Sequence, residues 1–263
     1  MTAMLRVGAF RLLCALILIF LAAPIFAIIP TSFSSGEYFV YPLPGYSGRW
    51  YAEVVRDPTW LRALETSLIV GSASAALATL LGTTAALGLS RTRSRWAPVI
   101  VAALISPMIT PIVIVAVSLF YAYAAVGLVG GLAGLILSHA TLGLPFVTIT
   151  VLATLKTYNT TLDRAAESLG AGAVRIFFTV TLPLIAPGVI SGALFAFAVS
   201  LDEVVVTLFL ASPEYTTLPR EIFSGLRQSI SPAVVAVSTI TIGMSCLLMA
   251  VVALTARAAK RLR

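Results

Sequence analysis

The chain contains six apolar runs, each long enough to cross a lipid bilayer. An α-helix rises about 1.5 Å per residue, so about 20 apolar residues cross the roughly 30 Å of hydrocarbon in a membrane. The runs lie at about residues 10–30, 64–89, 97–126, 132–153, 184–210 and 233–256. Only helices and closed barrels satisfy every backbone hydrogen bond inside lipid. The sequence therefore predicts an all-α, polytopic membrane protein with six transmembrane helices.

The composition agrees with a chain embedded in a membrane. Hydrophobic residues make up 59% of the 263 positions and charged residues only 10%, whereas soluble domains carry about 25% charged residues. The net charge of +7 does not indicate a nucleic acid partner, because the basic residues form short clusters between apolar runs. Cys14 and Cys246 are too few for a disulfide framework or a metal site. We expect one transmembrane domain over residues 1–263, with no cofactor and no metal.

The basic residues also predict the orientation of the chain, since cytoplasmic loops are enriched in Lys and Arg. With the N-terminus inside and six spans, twelve basic residues are cytoplasmic and five are external. The cytoplasmic set is Arg6, Arg11, Arg91, Arg93, Arg95, Lys156, Arg164, Arg175, Arg257, Lys260, Arg261 and Arg263, and the external set is Arg49, Arg56, Arg62, Arg220 and Arg227. Both termini and the loop between spans four and five are therefore predicted to be cytoplasmic.

That cytoplasmic loop, residues 160–183, has the pattern of two short amphipathic helices. Thr160 and Asp163 have the spacing of a capping box, which starts a helix. Apolar residues then recur at i, i+3, i+4 and i+7, namely at Leu162, Ala165, Ala166 and Leu169. Gly170 permits the left-handed conformation that ends a helix. A second apolar stripe follows, and Pro183 is expected to separate the loop from the fifth span.

The small side chains on the first of these helices indicate what the loop contacts. A helix that presents alanine, as at Ala165 and Ala166, can lie deep in a groove of a protein partner. A helix lying on lipid usually has a bulkier apolar face and a polar face richer in Lys and Arg. We therefore expect the loop to bind a soluble protein in the cytoplasm.

The spacing of this loop resembles that of a known family. Arg164-Ala-Ala-x-x-Leu-Gly170, followed by Thr-Leu-Pro at 181–183, is similar to the cytoplasmic loop of permease subunits of bacterial ABC importers, which commonly begins Glu-Ala-Ala. The sequences of residues 200–207 and 217–223 resemble the corresponding segments of permeases of the spermidine/putrescine-type subgroup. One position departs from the family pattern, because Arg164 stands where glutamate is usual. The sequence therefore leaves undecided whether this chain makes the polar contact that the glutamate makes in the family.

The resemblance implies a non-catalytic pore subunit in the bacterial inner membrane, importing a small solute of the polyamine type. Its implied partners are a dimer of ATP-binding subunits, a second similar permease and an extracytoplasmic solute-binding protein. The implied ATPase-coupling residues are Leu162, Arg164, Ala165, Ala166, Leu169 and Gly170. The solute, and whether the second permease is another copy, stay open. The chain has no Gly-x-x-x-x-Gly-Lys-Ser/Thr phosphate loop, so a separate subunit would hydrolyse ATP.

Three ionisable residues fall inside predicted spans, at His139, Asp202 and Glu203. Ionisable groups at such depth are costly unless paired or hydrated, and they commonly mark a transport pathway. The residues lie at similar depths, so His139 is expected to hydrogen-bond to Asp202 or Glu203. Two alternatives explain these residues. They form a structural pair that joins spans four and five, or they form an acidic lining that favours passage of a cation.

The loop between the last two spans offers a candidate surface for the binding protein. It is predicted to contain a short helix after Pro219. Its candidate contact residues are Glu214, Arg220, Glu221 and Arg227. An interfacial cap over the helices explains the same loop, and both interpretations stay open.

A different class of function competes with the importer interpretation. A proton-coupled secondary transporter would pass protons through His139, Asp202 and Glu203. The sequence shows no inverted repeat of the kind found in many such transporters, and this class does not need the amphipathic loop at 160–183. A membrane-embedded enzyme lacks a convincing catalytic set, because one histidine and two adjacent acids do not suffice.

Overall fold

The computed structural model describes residues 2–38, 40, 42–228 and 231–261. These residues form helices and no β-strand, apart from one isolated bridge between Ser34 and Tyr46. The predicted all-α class is confirmed. The contacts divide the chain into two compact units, Met1–Leu61 with Ile222–Met244 and Arg62–Glu221 with Ser245–Arg263. The single transmembrane domain stays a prediction.

Twelve α-helices and one π-helical segment make up the described chain. In order they are α1 (Thr2–Thr31), α2 (Arg49–Arg56), α3 (Pro58–Arg91), α4 (Ala97–Ile109), α5 (Ile112–Ala124), α6 (Leu132–Leu155), α7 (Thr161–Ser168), α8 (Ala173–Ile176), the π segment (Phe177–Thr181), α9 (Leu182–Asp202), α10 (Val205–Leu210), α11 (Leu218–Gln228) and α12 (Pro232–Arg261).

Most of the predicted spans correspond to helices of sufficient length. Four stretches of the described residues are long and apolar enough to cross a membrane, Phe10–Thr31, Pro58–Arg91, Leu132–Leu155 and Ala173–Asp202. The pair α4 and α5 makes a fifth if the two helices form one span. The sixth predicted span lies in α12, whose described apolar part is Pro232–Leu248.

The third predicted span is divided into two helices, α4 and α5. The axes of α4 and α5 differ by 105°. Thr110 between them is extended, with ψ 137°, which is the conformation favoured before a proline. Pro111 has no N–H to continue the helical hydrogen bonds, so the chain changes direction here.

The fifth predicted span is also interrupted, between α9 and α10. Glu203 leaves the helical conformation, with φ −80° and ψ 117°. Its Oε1 accepts a hydrogen bond of 2.7 Å from the backbone N–H of Val206, so the carboxylate caps the first turn of α10. The prediction of one continuous helix over 184–210 is therefore wrong, and Glu203 stabilises the break.

The sequence suggested that Pro183 separates the cytoplasmic loop from the fifth span. This prediction is wrong. The helical chain runs without interruption from Ala173 to Asp202, through the π segment Phe177–Thr181. Pro183 lies in the first turn of α9, directly after that segment. A proline lacks the N–H of a regular helical turn and crowds the carbonyl four residues back, and the wider π turn accommodates it.

In the first unit, the segment after α1 folds back on itself through aromatic side chains. The Trp50 Nε1–H donates a hydrogen bond of 2.8 Å to the Ser34 carbonyl. The ring centroids of Phe33 and Tyr51 lie 4.9 Å apart. These contacts order the segment that joins α1 to α2.

In the second unit, α6 packs closely against α9 and α3 at glycines. A Cβ on Gly192 of α9 would lie 2.8 Å from the Val147 Cα and 2.6 Å from the Thr150 Oγ1. A Cβ on Gly82 of α3 would lie 2.8 Å from the Val147 Cβ. Small residues that allow such close approach are typical of helix packing in membranes.

Replacing Gly192 with leucine is expected to destabilise the protein by about 1–3 kcal/mol, the usual cost of overpacking. The new side chain would collide with the backbone of α6, which cannot move aside as a flexible side chain does. Thermal unfolding in detergent measures the effect. Gly88→Leu is the control, since a Cβ there meets no atom within 4 Å, and equal losses in both variants would contradict this packing.

Candidate functional site

Helix α7 ends as the sequence predicts, at Gly170. This glycine has φ +80°, a conformation that other residues rarely adopt. Its N–H donates to the Glu167 carbonyl at 2.9 Å, and the N–H of Ala171 donates to the Ala166 carbonyl at 3.1 Å. These two bonds form a Schellman motif, which satisfies carbonyls that a helix end leaves free. The predicted role of Gly170 in ending the helix is confirmed.

The apolar face of α7 is not buried against the rest of the second unit. Leu162 is 44% exposed and Leu169 is 88% exposed. Val174 and Phe178, on the following helical segments, are 73% and 61% exposed. Large apolar side chains this exposed on neighbouring segments are typical of a binding surface. We call these four residues the α7 surface.

The remaining predicted coupling residues lie on the same short helix. Arg164 and Ala165 are exposed, and Ala166 is half-buried. The structure therefore brings the predicted coupling residues together on one element, while their role in coupling stays a prediction.

The predicted capping box at the start of α7 is wrong. The Thr160 side chain makes no capping hydrogen bond. Instead, the Oδ1 of Asn159 accepts a hydrogen bond of 3.0 Å from the N–H of Thr161. Asp163 does not turn back to the helix start, because its carboxylate is engaged by other parts of the chain.

Three side chains from outside α7 converge on the Asp163 carboxylate. The Tyr158 hydroxyl donates to Oδ1, and the Thr181 hydroxyl donates to the same oxygen at 3.2 Å. The Arg91 guanidinium lies 3.3 Å from Oδ2. Burial of Tyr158, with its bond to the Asp163 carboxylate, raises the pKa of its hydroxyl above the ordinary 10.0. Sequence reasoning missed this cluster, because the partners lie 5, 18 and 72 positions from Asp163 and nothing in the sequence pattern joins them.

His139 lies in the interior of the second unit, with 1% of its surface exposed. Its Nδ1 is 2.7 Å from the Ser200 hydroxyl and its Nε2 is 3.1 Å from the Thr207 hydroxyl. The predicted bond to Asp202 or Glu203 is wrong, because hydroxyl groups occupy both ring nitrogens. Ser200 belongs to α9 and Thr207 to α10, so His139 bridges the break between these helices.

The two acids at this break have different surroundings. Asp202, the last residue of α9, is exposed. Glu203 is buried, at 9% exposure, and caps α10. Only Asp202 presents its carboxylate at the molecular surface. The role of His139, Asp202 and Glu203 in a pathway stays a prediction.

The short helix expected after Pro219 is confirmed as α11. Three of the four predicted binding-protein contacts lie on it. Arg220 is half-buried, and its Nη1 donates to the Ser212 carbonyl at 3.2 Å. Glu221 is half-buried, whereas Glu214 is exposed in the preceding loop. Arg227 is exposed, with its guanidinium 4.6 Å from the centre of the Phe223 ring. The bond from Arg220 to Ser212 therefore stabilises the loop that precedes α11.

Known proteins share both the sequence pattern and the fold of this chain. Residues 78–262 match the family described as "binding-protein-dependent transport system inner membrane component". The chain is 34% identical over 238 residues to the spermidine/putrescine transport system permease protein PotC of Escherichia coli (strain K12), covering 90% of each protein. It is 34% identical over 231 residues to the putrescine transport system permease protein PotI of the same strain, covering 85% of this chain and 82% of PotI.

A solved structure shows the same fold at much lower sequence identity. It is a bacterial ABC transporter involved in the import of the acidic polysaccharide alginate. The TM-score is 0.76 and the identity 18%, with 95% of this chain and 96% of the other chain covered. The helical arrangement is therefore one that an ABC importer uses.

Proposed function

Because the chain belongs to the family of binding-protein-dependent transport system inner membrane components, we propose that it forms, with a second permease, the pore of an ATP-driven polyamine importer. The subunit itself is non-catalytic. A dimer of separate ATP-binding subunits hydrolyses ATP, and an extracytoplasmic binding protein delivers the solute. The observation that carries the proposal is the match over residues 78–262, which includes both α7 and the break after α9.

The α7 surface is assigned to the ATP-binding subunits. Its apolar side chains are exposed on a short helix and the segments after it, whereas the long helices of the described chain have the length and apolarity of membrane spans. The excess of Lys and Arg in the loops on this side supports a cytoplasmic position for α7 and for both termini. The groove of an ATP-binding subunit would contact four side chains of this segment, Leu162, Ala165, Ala166 and Leu169. Gly170 would set where that contact ends.

The break between α9 and α10 is assigned to the solute pathway. A helix C-terminus carries partial negative charge, and Asp202 adds a full negative charge at the same point. A carboxylate exposed to lipid at this depth would cost several kcal/mol, so this face would lie toward water and the second permease. Such a lining suits a polycation, which agrees with the spermidine and putrescine named for PotC and PotI.

The loop before α11 and the exposed part of α11 are assigned to the binding protein. Glu214 is exposed in the loop and Arg227 is exposed on α11, and each charge by itself would allow a polar contact with the binding protein. Arg220 and Glu221 would contribute less, because both are half-buried.

Neither the comparisons nor the geometry favours the proton-coupled transporter. The relay predicted through His139, Asp202 and Glu203 would place the ring against one of the acids, yet its two nitrogens bond to Ser200 and Thr207. We therefore retain one candidate function.

Uptake of defined solutes tests the proposed cargo. The complete importer, with its binding protein, is expected to accumulate labelled spermidine or putrescine when ATP is supplied. An alginate oligosaccharide, the anionic type of cargo handled by the structural neighbour, is expected to remain outside. Accumulation of the anion without accumulation of either polyamine would contradict the proposed cargo.

A further inference from the structure

The carboxylate of Asp163 joins α7 to other parts of the second unit. Asp163 bonds to Arg91, the last residue of α3, and to Tyr158, in the turn after α6. It also bonds to Thr181, the last residue of the π segment that leads into α9. The end of α3, the turn after α6 and the end of the π segment therefore meet at one residue of α7.

These contacts differ in how well they are shielded from water. The Asp163 side chain is 16% exposed and Arg91 is 62% exposed, whereas Thr181 is fully buried. Exposed ion pairs contribute little to stability, because solvent screens them. The hydrogen bonds from Thr181 and Tyr158 are therefore the stronger part of the cluster, and they link α7 mainly to α9 and α6.

The surroundings of the cluster leave room for movement. A cavity of about 270 Å³ lies beside it, lined by residues of α3, α7, α8 and the π segment, among them Leu87, Glu167 and Phe177. The π segment interrupts the regular hydrogen-bond register of the helix, and such interruptions are frequent at functional sites. A cavity at this position would give α7 space to shift relative to α3.

We propose that Asp163 is the positioning residue that transmits a displacement of α7 to α9 and α6, with the π segment as the flexible element. This inference rests on the proposed function, in which ATP-binding subunits hold α7. The α7 surface would bind those subunits, and Asp163, on another side of the helix, would carry the resulting movement inward. Binding and transmission would therefore be separable by mutation.

The experiment uses the complete importer, reconstituted in proteoliposomes, and measures three quantities for each variant. They are the retention of the ATP-binding subunits, the rate of ATP hydrolysis, and the number of solute molecules imported per ATP. Asp163→Ala and Thr181→Val are expected to lower the number imported per ATP at least about fivefold, the lower end of typical coupling between sites. Retention of the subunits is expected to stay unchanged.

Matched variants distinguish transmission from simple folding. Thr179→Val removes a hydroxyl from the same π segment, but that hydroxyl is exposed and bonds to the Arg175 carbonyl of its own helix. It is expected to leave the coupling ratio unchanged. Arg91→Gln is expected to have a smaller effect than Thr181→Val. Should Asp163→Ala fail to fold, Thr181→Val and Tyr158→Phe carry the test, because both keep the shape of the side chain.

Three outcomes would overturn the inference, and the first two separate it from the proposed function. If the wild-type importer is driven by ATP but Thr181→Val and Tyr158→Phe couple normally, the role of Asp163 is wrong and the proposed function stands. If the variants lose the ATP-binding subunits in proportion to the loss of uptake, the cluster only supports the α7 surface. Absence of ATP-dependent uptake by the wild-type importer would overturn both.

Discussion

Replacing Leu169 with aspartate is expected to release the ATP-binding subunits and to abolish solute uptake. Leu169 is 88% exposed and lies within the apolar α7 surface. A carboxylate buried without a partner in the groove of another protein loses its hydration, at a cost of several kcal/mol. A cost of about 3 kcal/mol corresponds to roughly a hundredfold weaker binding. Retention of ATP-binding subunits on the purified chain, titrated against their concentration, measures this change.

Two substitutions control for charge and for general damage to α7. Ser168→Asp places the same charge on the neighbouring residue, about 100° around the helix, and replaces a serine whose hydroxyl donates to the Arg164 carbonyl. Leu169→Met keeps an apolar side chain at the surface. Both variants are expected to retain the ATP-binding subunits, and equal loss in Ser168→Asp and Leu169→Asp would count against docking through the apolar face.

Replacing Asp202 with asparagine is expected to slow polyamine uptake about 10- to 100-fold. The substitution keeps the shape of the side chain and removes its charge, and hydrogen bonds to charged groups contribute about 1.5–3 kcal/mol. Asp202 is exposed at the end of α9, on the surface that the proposed function assigns to the pathway. The initial rate of spermidine uptake gives the size of the effect, with retention of the ATP-binding subunits as the measure of assembly.

The neighbouring acid provides the matched control for Asp202. Glu203→Gln also removes one charge, but the Glu203 carboxylate is buried and caps Val206. Glutamine keeps an oxygen that accepts the same bond, so the break between α9 and α10 is preserved. A smaller loss of uptake is expected than in Asp202→Asn. Normal uptake by Asp202→Asn would remove Asp202 from the pathway.

The features predicted correctly from the sequence are local ones. The position of Gly170 at the end of α7 follows from a helical pattern that stops at a glycine, and the structure places φ +80° there. Long apolar runs likewise indicate helices, because their length and composition are read from adjacent residues. Neither prediction requires knowledge of which segments meet in three dimensions.

The breaks within the helices were harder to predict from the sequence, because hydropathy measures apolarity and not helical continuity. Glu203 lies in an apolar run, and its charge suggested a pathway residue. Its carboxylate caps a new helix, which hydropathy does not indicate. Pro183 suggested the end of a loop, but a π segment allows the helix to continue through it.

The partners of the polar residues were the least predictable. Asp163 bonds to Arg91, which is 72 positions away, and His139 bonds to two hydroxyls, 61 and 68 positions away. Serine and threonine in helices often bond to their own backbone, as Thr150 and Thr154 do here. Nothing in the sequence marks Ser200 and Thr207 as the hydroxyls that bond to a histidine instead.

The most direct test of the central claim is solute uptake into proteoliposomes that contain this chain, its partner permease and the ATP-binding subunits. ATP is enclosed in the vesicles, loaded binding protein is added outside, and a protonophore removes any proton gradient. Uptake is predicted to require both ATP and the binding protein, and to continue with the protonophore present. Uptake by this chain alone, without ATP and abolished by the protonophore, would contradict an ATP-driven importer.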